Sequence, residues 1–73
     1  MSTALPAIRG SGDAETAAGR VHQLRHVAAC LAYDAEAQGL AGAELAGVQA
    51  RIVDLRQTAD RIAAHVRAAG FHV

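Results

Sequence analysis

The chain has 73 residues and no net charge, because seven arginines balance four aspartates and three glutamates, and lysine is absent. Alanine occurs 19 times, whereas Tyr33 and Phe71 are the only aromatic residues. A neutral chain lacks the basic surface on which nucleic-acid binding depends. Its longest apolar run, residues 27–33, is far shorter than the ~20 residues of a membrane span. We therefore expect neither a nucleic-acid partner nor a membrane partner.

Residues 1–12 lack any helical or strand periodicity, since Pro6, Gly10 and Gly12 interrupt the segment. Leu5 and Ile8 are its sizeable apolar residues. Terminal segments with so little to bury are usually disordered. We predict a flexible N-terminal tail over residues 1–12.

A first helix is predicted over residues 13–38, with Asp13 as its N-cap and Ser11 as the alternative cap. Its apolar residues recur at alternating spacings of four and three, the a/d pattern of a heptad repeat. They are Ala17, Val21, Leu24, Ala28, Leu31 and Ala35. The helix should stop before Gly39, which can adopt the left-handed conformation of a helix end, with Leu40 supplying an apolar contact.

A second helix is predicted over residues 42–69, with a more regular heptad seam. The seam comprises Leu45, Val48, Ile52, Leu55, Ala59, Ile62, Val66 and Ala69. Gly70 and Phe71 repeat the pattern of Gly39 and Leu40, which indicates a second glycine-terminated helix before a short tail over residues 71–73. A connection of a few residues forces neighbouring helices to run antiparallel. The predicted fold is thus an all-α, two-helix hairpin over residues 13–70.

One hairpin cannot cover both seams, and a chain this short gains little net stability from its own core. Two hairpins that join their seams would form a four-helix bundle, most simply as a two-fold homodimer. The alternative partner is a set of helices from another protein. The residues predicted to form the interface are Val21, Leu24, Leu31, Leu45, Val48, Ile52, Leu55, Ile62 and Val66. On the flanks of the second helix, we expect ion pairs between Arg51 and Asp54 and between Arg56 and Asp60.

His22, His26 and Cys30 follow one another at intervals of four residues, and imidazole and thiolate are both metal ligands. Successive steps of four residues rotate by ~40° around a helix, so the three side chains spiral instead of converging. The histidines should face outward, whereas Cys30 is expected to be partly buried beside the apolar stripe. A metal- or redox-responsive helical bundle using these three residues is the alternative function.

No catalytic motif accompanies these features: paired carboxylates are not evident, and the glycines at 39 and 42 lack the Lys-Ser/Thr of a phosphate-binding loop. We therefore expect a non-enzymatic interaction module without a cofactor, acting as an oligomerising scaffold, an adaptor or an accessory subunit. The start of the chain does not resemble a signal peptide, and a single cysteine suits the reducing cytoplasm. Abundant Ala, Gly and Arg without Lys or Asn is typical of a GC-rich bacterial or phage genome.

Overall fold

The computed structural model describes residues 5–72 and has two antiparallel α-helices packed side by side. Helix α1 spans Ser11–Gln38 and helix α2 spans Gly42–Ala68. The predicted all-α hairpin is confirmed. With principal extents of 44 × 26 × 13 Å, the molecule is a single layer of two helices. Residues 1–4 of the predicted N-terminal tail and Val73 of the predicted C-terminal tail lie outside the described residues.

Helix α1 begins two residues earlier than predicted, and its N-cap is Gly10 and not Asp13. The amide of Ala14 donates to the carbonyl of Gly10 at 3.1 Å, which closes the first helical turn. Asp13 lies inside this turn, where its Oδ2 atom accepts a hydrogen bond from the Arg9 amide at 3.0 Å. The predicted N-cap is therefore wrong. The carboxylate instead ties the preceding segment to the positive end of the helix dipole.

Both helices end in the glycine motif that the sequence predicts. At the end of α1, Gly39 has φ 64°, and the amides of Gly39 and Leu40 donate to the carbonyls of Glu36 and Ala35. At the end of α2, Gly70 has φ 92°, and the amides of Gly70 and Phe71 donate to the carbonyls of Arg67 and Val66. These paired hydrogen bonds define the Schellman motif.

The two helices meet mainly through one residue in every seven. In α1 the buried residues are Ala14, Val21, Ala28 and Ala35, the a positions of the heptad. In α2 they are Ile52, Ala59, Ile62, Ala63 and Val66. Five of these nine residues are alanines, which permit close approach of the helices but bury little area.

The contiguous core lies at the end of the hairpin where the chain termini meet. It contains Ala14, Val21, Ala59, Ile62, Ala63 and Val66. Phe71 packs against it from one terminus and Ile8 from the other. Near Ile8, the Pro6 carbonyl accepts a hydrogen bond of 2.8 Å from Nε2 of His65, which is half-buried on α2. The segment that precedes α1 therefore lies along α2 and caps the core.

Candidate interaction surface

The most distinctive feature of the surface is the position of the leucines. All six lie within the described residues, and none of them is buried. Leu5 is exposed, and the other five are only partly covered. Leucine is usually among the most buried residue types. The hairpin thus buries alanines together with two valines and two isoleucines, and leaves its leucines in contact with solvent.

The heptad geometry explains why Leu24, Leu31 and Leu55 are only half-covered. In each helix the a positions point at the neighbouring helix. The d positions, three residues further along the chain, are rotated from that direction by about 60° to one side. Because the helices are antiparallel, this rotation takes the d positions of both helices to the same side of the layer. Leu24 and Leu31 occupy such positions in α1, and Val48 and Leu55 occupy them in α2.

We call this side of the hairpin the leucine face and define it as Leu24, Val27, Leu31, Val48 and Leu55. Val27 lies at a g position beside the two leucines of α1 and is 37% exposed. The other four side chains are half-buried. By the heptad geometry, these five residues lie on one side of the layer, within residues 24–31 of α1 and 48–55 of α2.

The nine residues predicted as interface fall into two groups in the structure. Val21, Ile52, Ile62 and Val66 are covered by their own chain, so they form the internal core. Leu24, Leu31, Leu45, Val48 and Leu55 are half-buried and have surface to offer a partner. The sequence pattern did not separate the two groups, because a heptad repeat gives the apolar stripe but not the rotation of each helix about its own axis.

A groove of about 430 Å³ opens between the helices at the turn end of the hairpin. Its apolar lining includes Leu40, Leu45, Val48 and Ile52, and Glu36 and Gln49 contribute polar atoms. Val48 belongs to both the groove and the leucine face, whereas Ala32 and Gln49, at e positions, line only the groove. The helices are therefore least completely packed toward the turn, at the opposite end from the core.

One ion pair connects the two helices among the described residues: Arg25 lies 3.2 Å from Oδ1 of Asp60. Both side chains are exposed, at 47% and 72%, so the pair contributes little stability in water. The predicted pairs of Arg51 with Asp54 and of Arg56 with Asp60 are absent from residues 5–72 and are wrong. Asp60 instead pairs across the helix interface with Arg25 of α1.

Two opposite charges border the leucine face on α1. Arg20 and Asp34 both lie at g positions, seven residues before and seven residues after Val27. Both are exposed, and neither forms an ion pair within the described part of the chain. Their side chains are thus free to contact a molecule that covers the face.

The three candidate metal ligands are all exposed, and two of them are in contact. Cys30 Sγ lies 3.6 Å from Nε2 of His26, one helical turn away. The expectation that Cys30 is partly buried is wrong, because the thiol lies at an outward c position instead of beside the seam. Within residues 5–72 the structure contains no group of three or more His, Cys, Asp or Glu side chains that could hold a metal ion.

Comparisons with models of protein families, with curated proteins and with solved structures found no match to this chain. Over the described residues, neither helix contains an apolar stretch long enough to cross a bilayer.

Proposed function

We propose that this protein is a non-enzymatic, helical protein–protein interaction module of the cytoplasm that associates through its leucine face. The observation that carries the proposal is that none of the six leucines is buried, in a molecule in which five of the nine buried residues are alanines. Contiguous apolar surface on a small protein marks an interaction site. Such a module serves as an oligomerising scaffold, an adaptor or an accessory subunit.

The total solvent-accessible surface area of the chain also supports a role in protein–protein interaction. Its accessible area is 5360 Å², whereas a compact folded monomer of this mass exposes about 4,200 Å². The surplus of roughly 1,100 Å² exceeds the ~800 Å² that each partner contributes to an interface of standard size. Part of the surplus comes from the elongated shape, which is itself the shape of one half of a bundle.

The test is a pair of matched substitutions that each introduce a charge on one helix. Leu31→Asp places the carboxylate on the leucine face, and Val53→Asp places it at a site that is 52% exposed on α2, outside that face. We expect the unmodified chain and Val53→Asp to associate at micromolar concentration, and Leu31→Asp to be monomeric with reduced helicity, since a buried unpaired charge is costly. Light scattering gives the mass and circular dichroism the helix content. A stable, folded monomer of the unmodified chain would contradict the proposal.

A second candidate function, a metal- or redox-responsive bundle, is favoured by the contact between Cys30 and His26. An imidazole and a thiolate at this separation can supply two ligands to a soft divalent ion. Calorimetric titration with Zn²⁺ tests it: His26→Ala should abolish binding, whereas His22→Ala should leave it unchanged, because His22 is not in that contact. Affinity that is absent, or that persists in His26→Ala, would contradict this function.

A further inference from the structure

We propose that the leucine face is covered by a second copy of this chain, with α1 antiparallel to α1 of that copy and the two-fold axis passing beside Val27. This inference rests on the proposed function, since it names the occupant of the same surface. It adds a specific arrangement, which the charges and the apolar residues of the leucine face support independently.

The first support is the symmetry of α1 about Val27. When two identical helices cross a two-fold axis antiparallel, the axis residue faces itself and residues at equal distances on either side face each other. Arg20 and Asp34 lie seven residues on either side of Val27 and carry opposite charges. Arg20 therefore faces Asp34 of the second copy across the axis, and Asp34 faces Arg20 of that copy.

These two ion pairs have the geometry that antiparallel helices require. Both members occupy g positions, and in an antiparallel helix pair the g residues of one helix border the g residues of the other. Neither side chain has an ion-pair partner within residues 5–72. Between the two ion pairs, Leu24 and Leu31 lie almost symmetrically about Val27. Leu24 of one copy therefore meets Leu31 of the other copy.

The second support comes from the height at which Leu55 of α2 lies. Val48 and Leu55 supply the leucine face on this helix, since Ile62, the d residue seven positions after Leu55, is buried in the core. The turn after Gly39 and the ion pair between Arg25 and Asp60 give the register of the hairpin and place Leu55 about level with Val27. An axis beside Val27 thus also passes beside Leu55, so that α2 lies against α2 of the second copy, as a symmetric four-helix bundle requires.

The competing two-fold arrangement sets α1 against α2 of the second copy, with the axis parallel to the helices. In that arrangement Asp34 faces Arg51, but Arg20, fourteen residues earlier, faces His65, which carries no negative charge. Only the arrangement centred on Val27 gives opposite charges to both residues that border the leucine face on α1. The surface surplus of the chain, roughly 1,100 Å², is sufficient for either arrangement, so charge complementarity decides between them.

Charge reversal distinguishes the two arrangements. We expect Arg20→Glu alone and Asp34→Arg alone to weaken association by about tenfold each, because each creates two like-charge contacts per dimer. The double variant Arg20→Glu/Asp34→Arg should restore the affinity to within about threefold of the original. The control Asp34→Arg/Arg51→Glu should stay weak. Sedimentation equilibrium at low salt measures all five chains.

Cross-linking tests the position of the axis. In a Cys30→Ser background, Val27→Cys places a thiol next to its own copy, so mild oxidation should give a covalent dimer in high yield. Val53→Cys in the same background, on the outer side of α2, should not cross-link.

The outcomes separate the two proposals. A dimer that is rescued by Asp34→Arg/Arg51→Glu, or that leaves Val27→Cys unlinked, overturns this arrangement but retains the interaction module. A chain that remains a folded monomer overturns both.

Discussion

Gly39 and Gly47 differ in what their backbone requires, although both are exposed glycines at or within a helix. Gly39 has φ 64° at the end of α1, and Gly47 lies inside α2 without a positive φ. A Cβ atom added at either position would meet no atom within 4 Å. The difference between the two sites is therefore conformational and not steric.

Gly39→Ala should destabilise the fold by about 1 kcal/mol, because an L-residue with a side chain is strained in the left-handed region. Gly47→Ala should stabilise it by up to about 1 kcal/mol, because alanine favours the helix interior. Urea unfolding at one fixed protein concentration measures both changes. Equal effects of the same sign would show that the turn does not hold Gly39 in the left-handed conformation.

Single residues also mark the limits of prediction from sequence. The glycine helix ends were predictable, because a glycine followed by an apolar residue after a periodic stretch is a local signal. The N-cap was not, because Asp13 can either cap a helix or accept a hydrogen bond from inside its first turn. Its role depends on the path of Arg9 and Gly10, which the composition of residues 5–10 does not specify.

At the scale of the helices, the contact between α1 and α2 depends on small side chains. Ala28, Ala59 and Ala63 are fully buried, and nearby Ala64 of α2 is exposed. Alanine at an interface allows the helix backbones to approach closely, and a larger side chain there forces them apart. The alanines of the sequence thus allow the two helices to pack closely against each other.

Ala59→Leu should destabilise the protein by about 1–3 kcal/mol, since the added side chain has no space between the helices. Ala64→Leu adds the same atoms to the exposed side of α2 and should change the stability by less than about 0.5 kcal/mol. The free energy of unfolding in urea measures the contrast. A neutral Ala59→Leu would mean that the helices lie farther apart than the buried alanines indicate.

The heptad pattern predicted the two helices and the apolar stripe through which they meet. It did not predict which residues of that stripe are buried between the helices and which remain in contact with solvent. Leu24 and Val21 are equivalent in the pattern, yet Val21 faces α2 and Leu24 lies at the border of the exposed strip. The rotation depends on which residues let the backbones approach most closely, and the alanines at a positions decide it. The contact between His65 and Pro6 was also unpredictable, because it joins α2 to a segment without periodicity.

At the scale of the whole molecule, the internal core is concentrated at the terminal end, whereas the leucine face lies within residues 24–31 of α1 and 48–55 of α2. The cluster around Val21 and Val66 lies at the terminal end, whereas the groove beside Leu45 and Ile52 lies at the turn. A single layer of two helices leaves one broad side of every a/d seam without a covering layer. In the proposed assembly, folding and association are consequently coupled, because the contacts between the two leucine faces stabilise the fold of each chain as well as the dimer.

This coupling gives a prediction for the dependence of stability on concentration. If two copies unfold together, each tenfold dilution should lower the free energy of unfolding per dimer by about 1.4 kcal/mol. For a denaturant sensitivity of ~2 kcal/mol per molar urea, the unfolding midpoint then falls by about 0.7 M. Circular dichroism of the unmodified chain at two concentrations tenfold apart measures this shift. Val53→Asp should show the same shift, because its charge lies outside the leucine face, whereas a monomeric Leu31→Asp should show none. A midpoint that is independent of concentration in the unmodified chain would mean that the alanine-lined contact between α1 and α2 stabilises the hairpin alone, and that the leucine face contributes nothing to folding.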